Sequence, residues 1–386
     1  MCDQYDFSEI APFDDDVFSE KMKALVLEPG FEHAVKYVMR DVDYPKFSES
    51  LKSIPDKATF QHKVMVPFLE MLEKLTTDGI TFDGIENIDK STAYTFMSNH
   101  RDIVLDASFL NLCLVRSGRP TSEVAIGSNL LIYEWITDLV KLNKSFIVKR
   151  NIQRTKALES ARQLSGYIHY AVGVKKESVW IAQREGRAKD SNDLTQESLV
   201  KMLALAGDGS LCENLKQINV VPVSISYEYD PNDYLKAKEF LLKRLDPEYK
   251  KSQHDDLLSM ETGLLRHKGR VHFHIGSCIN ELLDKIPQDL PKTELVKAIC
   301  HNIDNEIHGG YKIFPINYIA YDKLNGTDVF AAEYTPSQVQ EVEAYFESQL
   351  NKVDIEDLSA LDRDYMREMM YKMYANPLVN KLKVGK

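Results

Sequence analysis

The sequence predicts a mixed α/β sheet flanked by helices, with a helical subdomain before it and a helical extension after it. Over residues 86–285, short runs rich in β-branched and aromatic side chains alternate with helical patterns, which is typical of α/β layer folds. Apolar side chains recur at helical spacing over residues 1–85 and again over residues 286–386. These observations predict an N-terminal helical subdomain, a central α/β domain and a mainly helical C-terminal extension.

The individual elements follow from the same patterns. Helices are predicted in VFSEKMKALVL, FEHAVKYVM and VMVPFLEMLEKL, because their apolar residues recur at helical spacing. Turn signals such as EPG and DYPKF separate these helices. Strands are predicted in TAYTFMSNH, FIVKR, SVWIAQRE, INVVPVSISY and RVHFHIG. The C-terminal extension contains the periodic runs KTELVKAICHNIDNEI and VQEVEAYFESQLNKV, and Thr335 is placed to cap the second of them.

The charge balance argues against a nucleic-acid-binding protein. The 386 residues include 59 acidic and 48 basic side chains, for a formal net charge of −11. Neutralising the phosphates of a nucleic acid requires a basic surface. We therefore expect no nucleic-acid partner, and local basic clusters must be interpreted one by one.

The cysteines and the apolar stretches predict a cytoplasmic protein with at most peripheral membrane contact. MCDQYDFSEIAPFDDD at the N-terminus lacks the basic and then apolar pattern of a secretory signal. The longest apolar stretches are too short to cross a bilayer, which takes roughly 20 apolar residues. Membrane contact is therefore expected on the inner face of the cell membrane. Five cysteines lack the spacing of a zinc site or a disulfide framework: Cys2, Cys113, Cys212, Cys278 and Cys300.

A histidine stands at a predicted strand-to-helix corner. In FMSNHRDIVLDASFLNL, an apolar strand runs into Ser98, Asn99 and His100 before a helical pattern begins. Such a corner suits a general base, because the end of a strand exposes the imidazole and the following helix can supply an orienting carboxylate. Asp102 is a candidate N-cap, and Asp106 lies one turn further along the same face. Taken alone, the pattern also fits a purely structural corner.

Three further segments, in order along the chain, support a functional interpretation of this corner. They are KSFIVKR at residues 144–150, IAQREGRAKD at residues 181–190, and INVVPVSISY with Pro222. Together with the corner they resemble the glycerolipid acyltransferases, the family of glycerol-phosphate and lysophosphatidate acyltransferases, whose first block reads N-H-x-x-x-x-D. GRVHFHIG at residues 269–276 is similar to the last strand of that family. The resemblance covers roughly residues 90–280 and implies the fold of those acyltransferases.

The resemblance implies a role for each matching residue. His100 is the general base, because a neutral imidazole accepts the proton of an attacking hydroxyl when a carboxylate fixes its tautomer. The family's aspartate lies five positions after the histidine, where this chain has Leu105. Asp106 is favoured as the orienting carboxylate, and Asp102 remains the alternative. The residues assigned to substrate binding are Arg101, Lys149, Arg150, Glu185, Gly186, Arg187 and Pro222.

Cations within the matched segments suit the phosphate of an acceptor. The resemblance favours Arg150 and Arg187 for this contact, and it favours Glu185 for holding the site together by pairing an arginine or a backbone donor. The alternative for each cation is a solvated charge at the end of a strand. His272 and His274 alternate along one strand, but no third ligand is visible nearby, so no metal site is predicted.

The predicted function is transfer of a fatty acyl group to a hydroxyl in phospholipid biosynthesis. The resemblance implies acyl-CoA or acyl carrier protein as donor, and glycerol-3-phosphate, 1-acylglycerol-3-phosphate or a related lysophospholipid as acceptor, with no cofactor. Two alternatives stay open. One is a non-catalytic lipid-binding or scaffolding protein on the same fold, and the other is a thioesterase-like hydrolase that uses water in place of the acceptor.

Overall fold

The computed structural model describes residues 6–287 and 289–385, and a seven-stranded sheet lies at its centre. All five strand candidates form strands of this sheet, so the predicted mixed sheet is confirmed. The strands are β1 (Ile80–Asp83), β2 (Thr95–Ser98), β3 (Glu123–Gly127), β4 (Ser145–Val148), β5 (Val179–Ala182), β6 (Val220–Tyr227) and β7 (Val271–Ile275).

The order of strands brings the predicted site segments to one edge of the sheet. The spatial order is β1-β7-β6-β2-β5-β3-β4, in which only the contact of β6 with β7 is antiparallel. Ser98 at the end of β2 pairs with Ala182 at the end of β5. The loops that follow these two strands therefore leave the sheet side by side, as ligand-binding loops do in open parallel sheets.

Two strands had no prediction from the sequence. Strand β1 falls within residues 1–85, which were expected to be helical, and β3 lies in a segment with no strand prediction. Strand β1 is only four residues long and is half exposed, and it forms by parallel pairing with β7, which is remote in sequence. Such non-local pairing leaves no local signature. The domain boundaries at 85 and 285 stay predictions.

Helices precede the sheet and surround it. The N-terminal helices enclose a core of their own, in which Phe18, Leu51 and Phe60 pack with Leu142 from a later helix. A single π-helical turn, Gln61–Met65, joins the fourth helix to the fifth. The bounds of these N-terminal helices are α1 (Asp15–Leu25), α2 (Pro29–Val38), α3 (Tyr44–Lys52), α4 (Lys57–Phe60) and α5 (Val66–Thr76).

The sheet separates two apolar cores. Neighbouring side chains of β2 alternate between its faces, so that Met97 packs in one core and Phe96 in the other. Tyr167 and Ile303 cover the first face, and Leu72 and Phe109 cover the second. The helices between β2 and the C-terminal helices are α6 (Leu105–Arg116), α7 (Glu134–Leu142), α8 (Arg154–Tyr170), α9 (Glu197–Leu203), α10 (Leu211–Gln217), α11 (Asp233–Leu245), α12 (Gln253–Leu265), α13 (Asn280–Lys285) and α14 (Lys292–Gly309).

The C-terminal helices pack onto α11 through a third apolar core and a buried polar cluster. Burial, together with the charge of Asp230, raises the pKa of Asp233 to about 7. The Asp233 carboxylate accepts hydrogen bonds from the hydroxyls of Tyr345 at 2.7 Å and Tyr374 at 2.8 Å. Thr335 caps its helix as predicted, since its hydroxyl accepts the N–H of Gln338. The helices are α15 (Pro315–Asn325), α16 (Pro336–Leu350) and α17 (Ala360–Lys381).

Removing the Tyr374 hydroxyl tests how much this polar cluster stabilises the fold. The hydroxyl donates to Asp233 and accepts the backbone N–H of Asp230 at 2.9 Å, so Tyr374→Phe leaves a buried N–H without a partner. We expect the free energy of unfolding in urea to fall by about 1–3 kcal/mol. Tyr371→Phe is the control, because within the described chain its hydroxyl has no hydrogen-bond partner. Equal losses for the two variants would contradict a stabilising role for the cluster.

Candidate active site

The corner after β2 is held to the sheet by an asparagine side chain. The Asn99 amide nitrogen donates to the carbonyl of Ile225 at 2.9 Å, and its amide oxygen accepts the N–H of Ile225 at 2.8 Å. This pair continues the contact of β2 with β6 after the strand itself has ended at Ser98. The chain then turns away from the sheet, and His100 is the first side chain beyond this anchor.

His100 and Asp106 form a hydrogen-bonded pair. The Nδ1 atom of His100 lies 2.8 Å from Oδ2 of Asp106, which is fully buried in the first turn of α6. The same oxygen accepts the backbone N–H groups of Arg101 at 2.6 Å and Asp102 at 3.1 Å. The structure thus brings together the histidine and the carboxylate that the sequence favoured.

Asp102 holds the start of α6. Its Oδ1 accepts the N–H groups of Val104 at 2.9 Å and Leu105 at 2.8 Å, so the helix begins at Leu105 and not at Asp102. Burial, and then the charge of Asp106, raises the pKa of Asp102. A Cβ atom at Gly263 would stand 1.9 Å from Oδ2 of Asp102, so only glycine fits at position 263. In the described residues no hydrogen bond joins Asp102 to His100, and its contacts are those of a helix cap.

Trp180 fixes the imidazole from the side, a contact that the sequence did not predict. The rings of His100 and Trp180 lie edge to face with centroids 5.6 Å apart. The indole N–H donates to the hydroxyl of Ser98 at 3.0 Å, which orients the indole in turn. Since Asp106 accepts the proton on Nδ1, Nε2 is left as the basic nitrogen of the neutral ring. The feature of the sequence that could have indicated this contact is the tryptophan in the predicted strand SVWIAQRE.

A cavity of about 1560 Å³ opens beside His100, whose side chain is 14% exposed. One part of its wall is apolar and comes from the N-terminal helices and α7. The apolar lining includes Phe31, Leu51, Phe60, Met65, Trp135 and Leu139. The sequence predicted the helices but not that they would line a cavity, because each of them is an ordinary amphipathic helix when taken alone.

Charged side chains line another part of the cavity. The guanidinium of Arg150 lies 2.9 Å from the carboxylate of Glu185, and Gly186 adopts a positive φ of 69° at the turn that follows. Arg187 is buried, and its Nη1 atom has no hydrogen-bond partner among the described residues. Lys149 pairs with Glu9 at 2.6 Å. Arg184 lines the cavity as well, and its buried Nε atom likewise has no hydrogen-bond partner among the described residues, so two arginines of this wall keep an unused donor.

Helix α11 adds a carboxylate to this charged wall. Lys189 lies 2.9 Å from Glu239, and both residues line the cavity. Burial, and then the charge of Arg187, lowers the pKa of Lys189 to about 8. Burial acts to raise the pKa of Glu239, but the charges and hydrogen bonds of Lys189 and Lys243 together outweigh it and lower that pKa to about 2. The excess of cations around Arg187 suits an anionic group.

Arg101 and Pro222 lie apart from this cavity. The Arg101 guanidinium is buried 2.7 Å from Asp193 and 5.8 Å from the ring centre of Tyr311. The Tyr311 hydroxyl donates to Asp193 at 3.2 Å. Pro222 sits within β6 opposite Met97, and its carbonyl accepts the N–H of Gly276. In the part of the chain that the structure describes, neither Arg101 nor Pro222 lines the cavity.

The two strand histidines contact a single carboxylate. Asp83 on β1 lies 2.5 Å from Nδ1 of His274 and 3.5 Å from Nε2 of His272. Across residues 6–287 and 289–385, no cluster of three or more His, Cys, Asp or Glu residues has the arrangement of a metal site. None of the described helices is long and apolar enough to span a bilayer.

A histidine paired with a buried carboxylate beside an apolar cavity is the arrangement of an enzyme that uses an imidazole base. Residues 79–226 match the family model described as Acyltransferase, a range that contains His100, Asp106 and Arg187. The chain thus carries an acyltransferase domain, and the predicted acyltransferase enzyme is confirmed. A solved structure that it resembles is the 1-acyl-sn-glycerophosphate acyltransferase PlsC from Thermotoga maritima, at 13% identity and a TM-score of 0.38, over 75% of this chain and 97% of that chain. No curated protein matches the chain.

The contacts of the two aspartates predict different effects of losing their charge. Asp106→Asn removes the charge that stabilises an imidazolium, so we expect turnover to fall about 10²–10⁴-fold. Asp102→Asn keeps a carbonyl oxygen for Val104 and Leu105, so turnover should fall by less than about tenfold. Steady-state turnover of both variants, with matched thermal unfolding, checks this. Asp106 would lose the role if Asp102→Asn proved the more damaging at equal stability.

Proposed function

We propose that this acyltransferase moves a fatty acyl group from acyl-CoA or acyl carrier protein to a hydroxyl of glycerol-3-phosphate, 1-acylglycerol-3-phosphate or a related lipid acceptor. The observation that carries the proposal is that His100 faces a cavity with both an apolar and a cationic wall. An acyl chain fits the first wall and a phosphate fits the second. Because the acylated product is a lipid for each of these acceptors, the proposal includes a membrane surface as the place of reaction and a peripheral membrane enzyme in the cytoplasm.

The proposed reaction begins with proton transfer to the imidazole. Nε2 of His100 accepts the proton of the acceptor hydroxyl while the hydroxyl oxygen attacks the thioester carbonyl carbon. Asp106 stabilises the imidazolium that forms and keeps the ring in the productive orientation. The tetrahedral intermediate then collapses, the carbon–sulfur bond breaks, and the imidazolium returns its proton to the departing thiolate. The products are an ester and a free thiol.

Arg187 is the residue we propose for the acceptor phosphate. Its buried Nη1 donor has no protein partner within the described chain, and a guanidinium pairs with phosphate through two parallel hydrogen bonds. Arg150, held by Glu185, supplies a second cation in the same lining. We do not assign Arg101 to the phosphate, because its guanidinium is buried against Asp193 and does not line the cavity as described.

The apolar wall supports an acyl group as the transferred unit. Side chains from α2 to α5 and from α7 surround this part of the cavity, where burial of each methylene of a fatty chain contributes about 0.8 kcal/mol. The cationic wall favours an anionic acceptor over water, which separates this proposal from a thioesterase-like hydrolase. The non-catalytic alternative does not account for the paired histidine and carboxylate.

Replacing the base tests the proposed chemistry. We expect His100→Ala to lower the rate of acyl transfer about 10²–10⁴-fold, because a positioned general base contributes that factor. The assay pairs acyl-CoA and acyl carrier protein donors with each acceptor, and circular dichroism confirms that the variant is folded. His301→Ala, an exposed histidine of α14, is the matched control and should retain full activity. Activity of the His100 variant within about threefold of wild type would rule out the base.

Replacing Arg187 tests the acceptor site. We expect Arg187→Ala to raise the Michaelis constant for the phosphate-bearing acceptor about 10- to 100-fold, because a hydrogen bond to a charged group is lost. The Michaelis constant for the donor should change little. Arg187→Lys keeps the charge without the planar fork and should recover part of the effect. A raised donor constant beside an unchanged acceptor constant would reassign Arg187 to the phosphates of the donor.

A further inference from the structure

The segment that follows β4 is strongly basic in an acidic protein. Residues 149–162 read KRNIQRTKALESAR, which contains five basic side chains and one acidic side chain, whereas the whole chain has a net charge of −11. Residues 151–159 of this segment, including Arg154 and Lys156, are all exposed. The first turns of α8 therefore present a cationic surface to solvent.

The same segment exposes large apolar side chains. Ile152 is 37% exposed and Leu158 is 54% exposed, and Tyr133, just before α7, is 55% exposed. The hydroxyl of Ser128 accepts the backbone N–H of Arg150 at 2.9 Å, which holds the segment before α7 against the start of the basic segment. We call Tyr133, Ile152, Arg154, Lys156 and Leu158 the mouth surface.

The mouth surface borders the cavity of the active site. Asn151, Ile152 and Ala157 are exposed to solvent and also line the cavity, so the cavity reaches the protein surface at this segment. Leu131 and Ile136, on either side of Tyr133, line the cavity as well. An apolar path therefore runs from the mouth surface into the same space that His100 faces.

We propose that the mouth surface docks onto the anionic face of a phospholipid bilayer. Basic side chains beside exposed apolar and aromatic ones are what a peripheral protein presents to anionic lipids, and tyrosine is favoured at the interface between water and hydrocarbon. The inference rests on the proposed function, since docking here lets a lipid acceptor enter the cavity without its chain crossing water. The exposed Leu361 lacks this setting: its side chain is 77% exposed, but it is followed by Asp362 and Asp364.

The test is sedimentation of the full chain with vesicles of phosphatidylcholine alone or mixed with phosphatidylglycerol. Wild type should bind the mixed vesicles at least about tenfold more tightly, and added salt should weaken this binding. Leu158→Glu and Lys156→Glu should each reduce binding to mixed vesicles by about tenfold or more. Leu361→Glu and Lys292→Glu are the matched controls, which change an exposed leucine and an exposed lysine outside the mouth surface and should bind like wild type.

Activity measured with an acceptor dispersed in detergent separates this inference from the proposed function. Leu158→Glu and Lys156→Glu should keep detergent-phase activity within about twofold of wild type, because neither side chain lines the cavity as described. If wild type shows the expected vesicle binding but transfers no acyl group, the proposed function fails while the docking surface stands.

Three outcomes would overturn the docking proposal. The first is equal binding of wild type to vesicles with and without phosphatidylglycerol. The second is a loss of vesicle binding in the two control variants as large as that in the mouth-surface variants. The third outcome is unchanged vesicle binding in Leu158→Glu and Lys156→Glu with activity lost only when acyl carrier protein is the donor. That result would assign the basic surface to an acidic carrier protein instead of a membrane.

Discussion

The buried carboxylate of Asp106 is the group on which the geometry of the site depends. One of its oxygens accepts hydrogen bonds from the imidazole of His100 and from the backbone N–H groups of Arg101 and Asp102. These contacts stabilise a charge that burial alone would penalise. Because they also fix the backbone that carries His100, the residue that orients the imidazole shapes the loop as well. The orientation of the imidazole and the local fold thus depend on the same set of hydrogen bonds.

Contacts from distant elements hold this corner in place. Arg101 pairs with Asp193 in the loop that follows the E-G-R segment, so the loop with the histidine and the loop with Arg187 are joined by a buried ion pair. The Lys236 ammonium lies 3.4 Å from the carbonyl of Arg101 and pairs with the carboxylate of Asp230. Breaking a buried pair of this kind is costly because it leaves an uncompensated charge. The backbone N–H of Asp230 donates to the hydroxyl of Tyr374 in the C-terminal helices. The C-terminal extension therefore contacts residues that hold the histidine corner, although none of its described residues lines the cavity.

The elements outside residues 79–226 determine the shape of the cavity. The helices α2 to α5 come before this range and supply much of the apolar wall, while α11 and the loop before α12 come after it and supply Glu239 and Lys251. The acyltransferase domain thus contains His100 and Asp106, and the flanking helices line the cavity beside them. The flanking helices, which carry no recognisable motif, thus supply much of the apolar wall, whereas Arg150 and Arg187 of the cationic wall lie inside the matched range.

The sequence by itself determined the fold class and the five strands with strong β patterns, and it favoured Asp106 over Asp102 as the partner of His100. The strands follow from local side-chain patterns. His100 and Asp106 are six residues apart at one corner, so local turn geometry is enough to bring them together. Only the tertiary structure decided which cations face the cavity: Arg101 is adjacent to the base yet turns toward Asp193, whereas Arg187 faces the cavity. The direction of a loop side chain is set by partners far away in sequence. The apolar wall likewise exists only once the N-terminal helices pack beside α7.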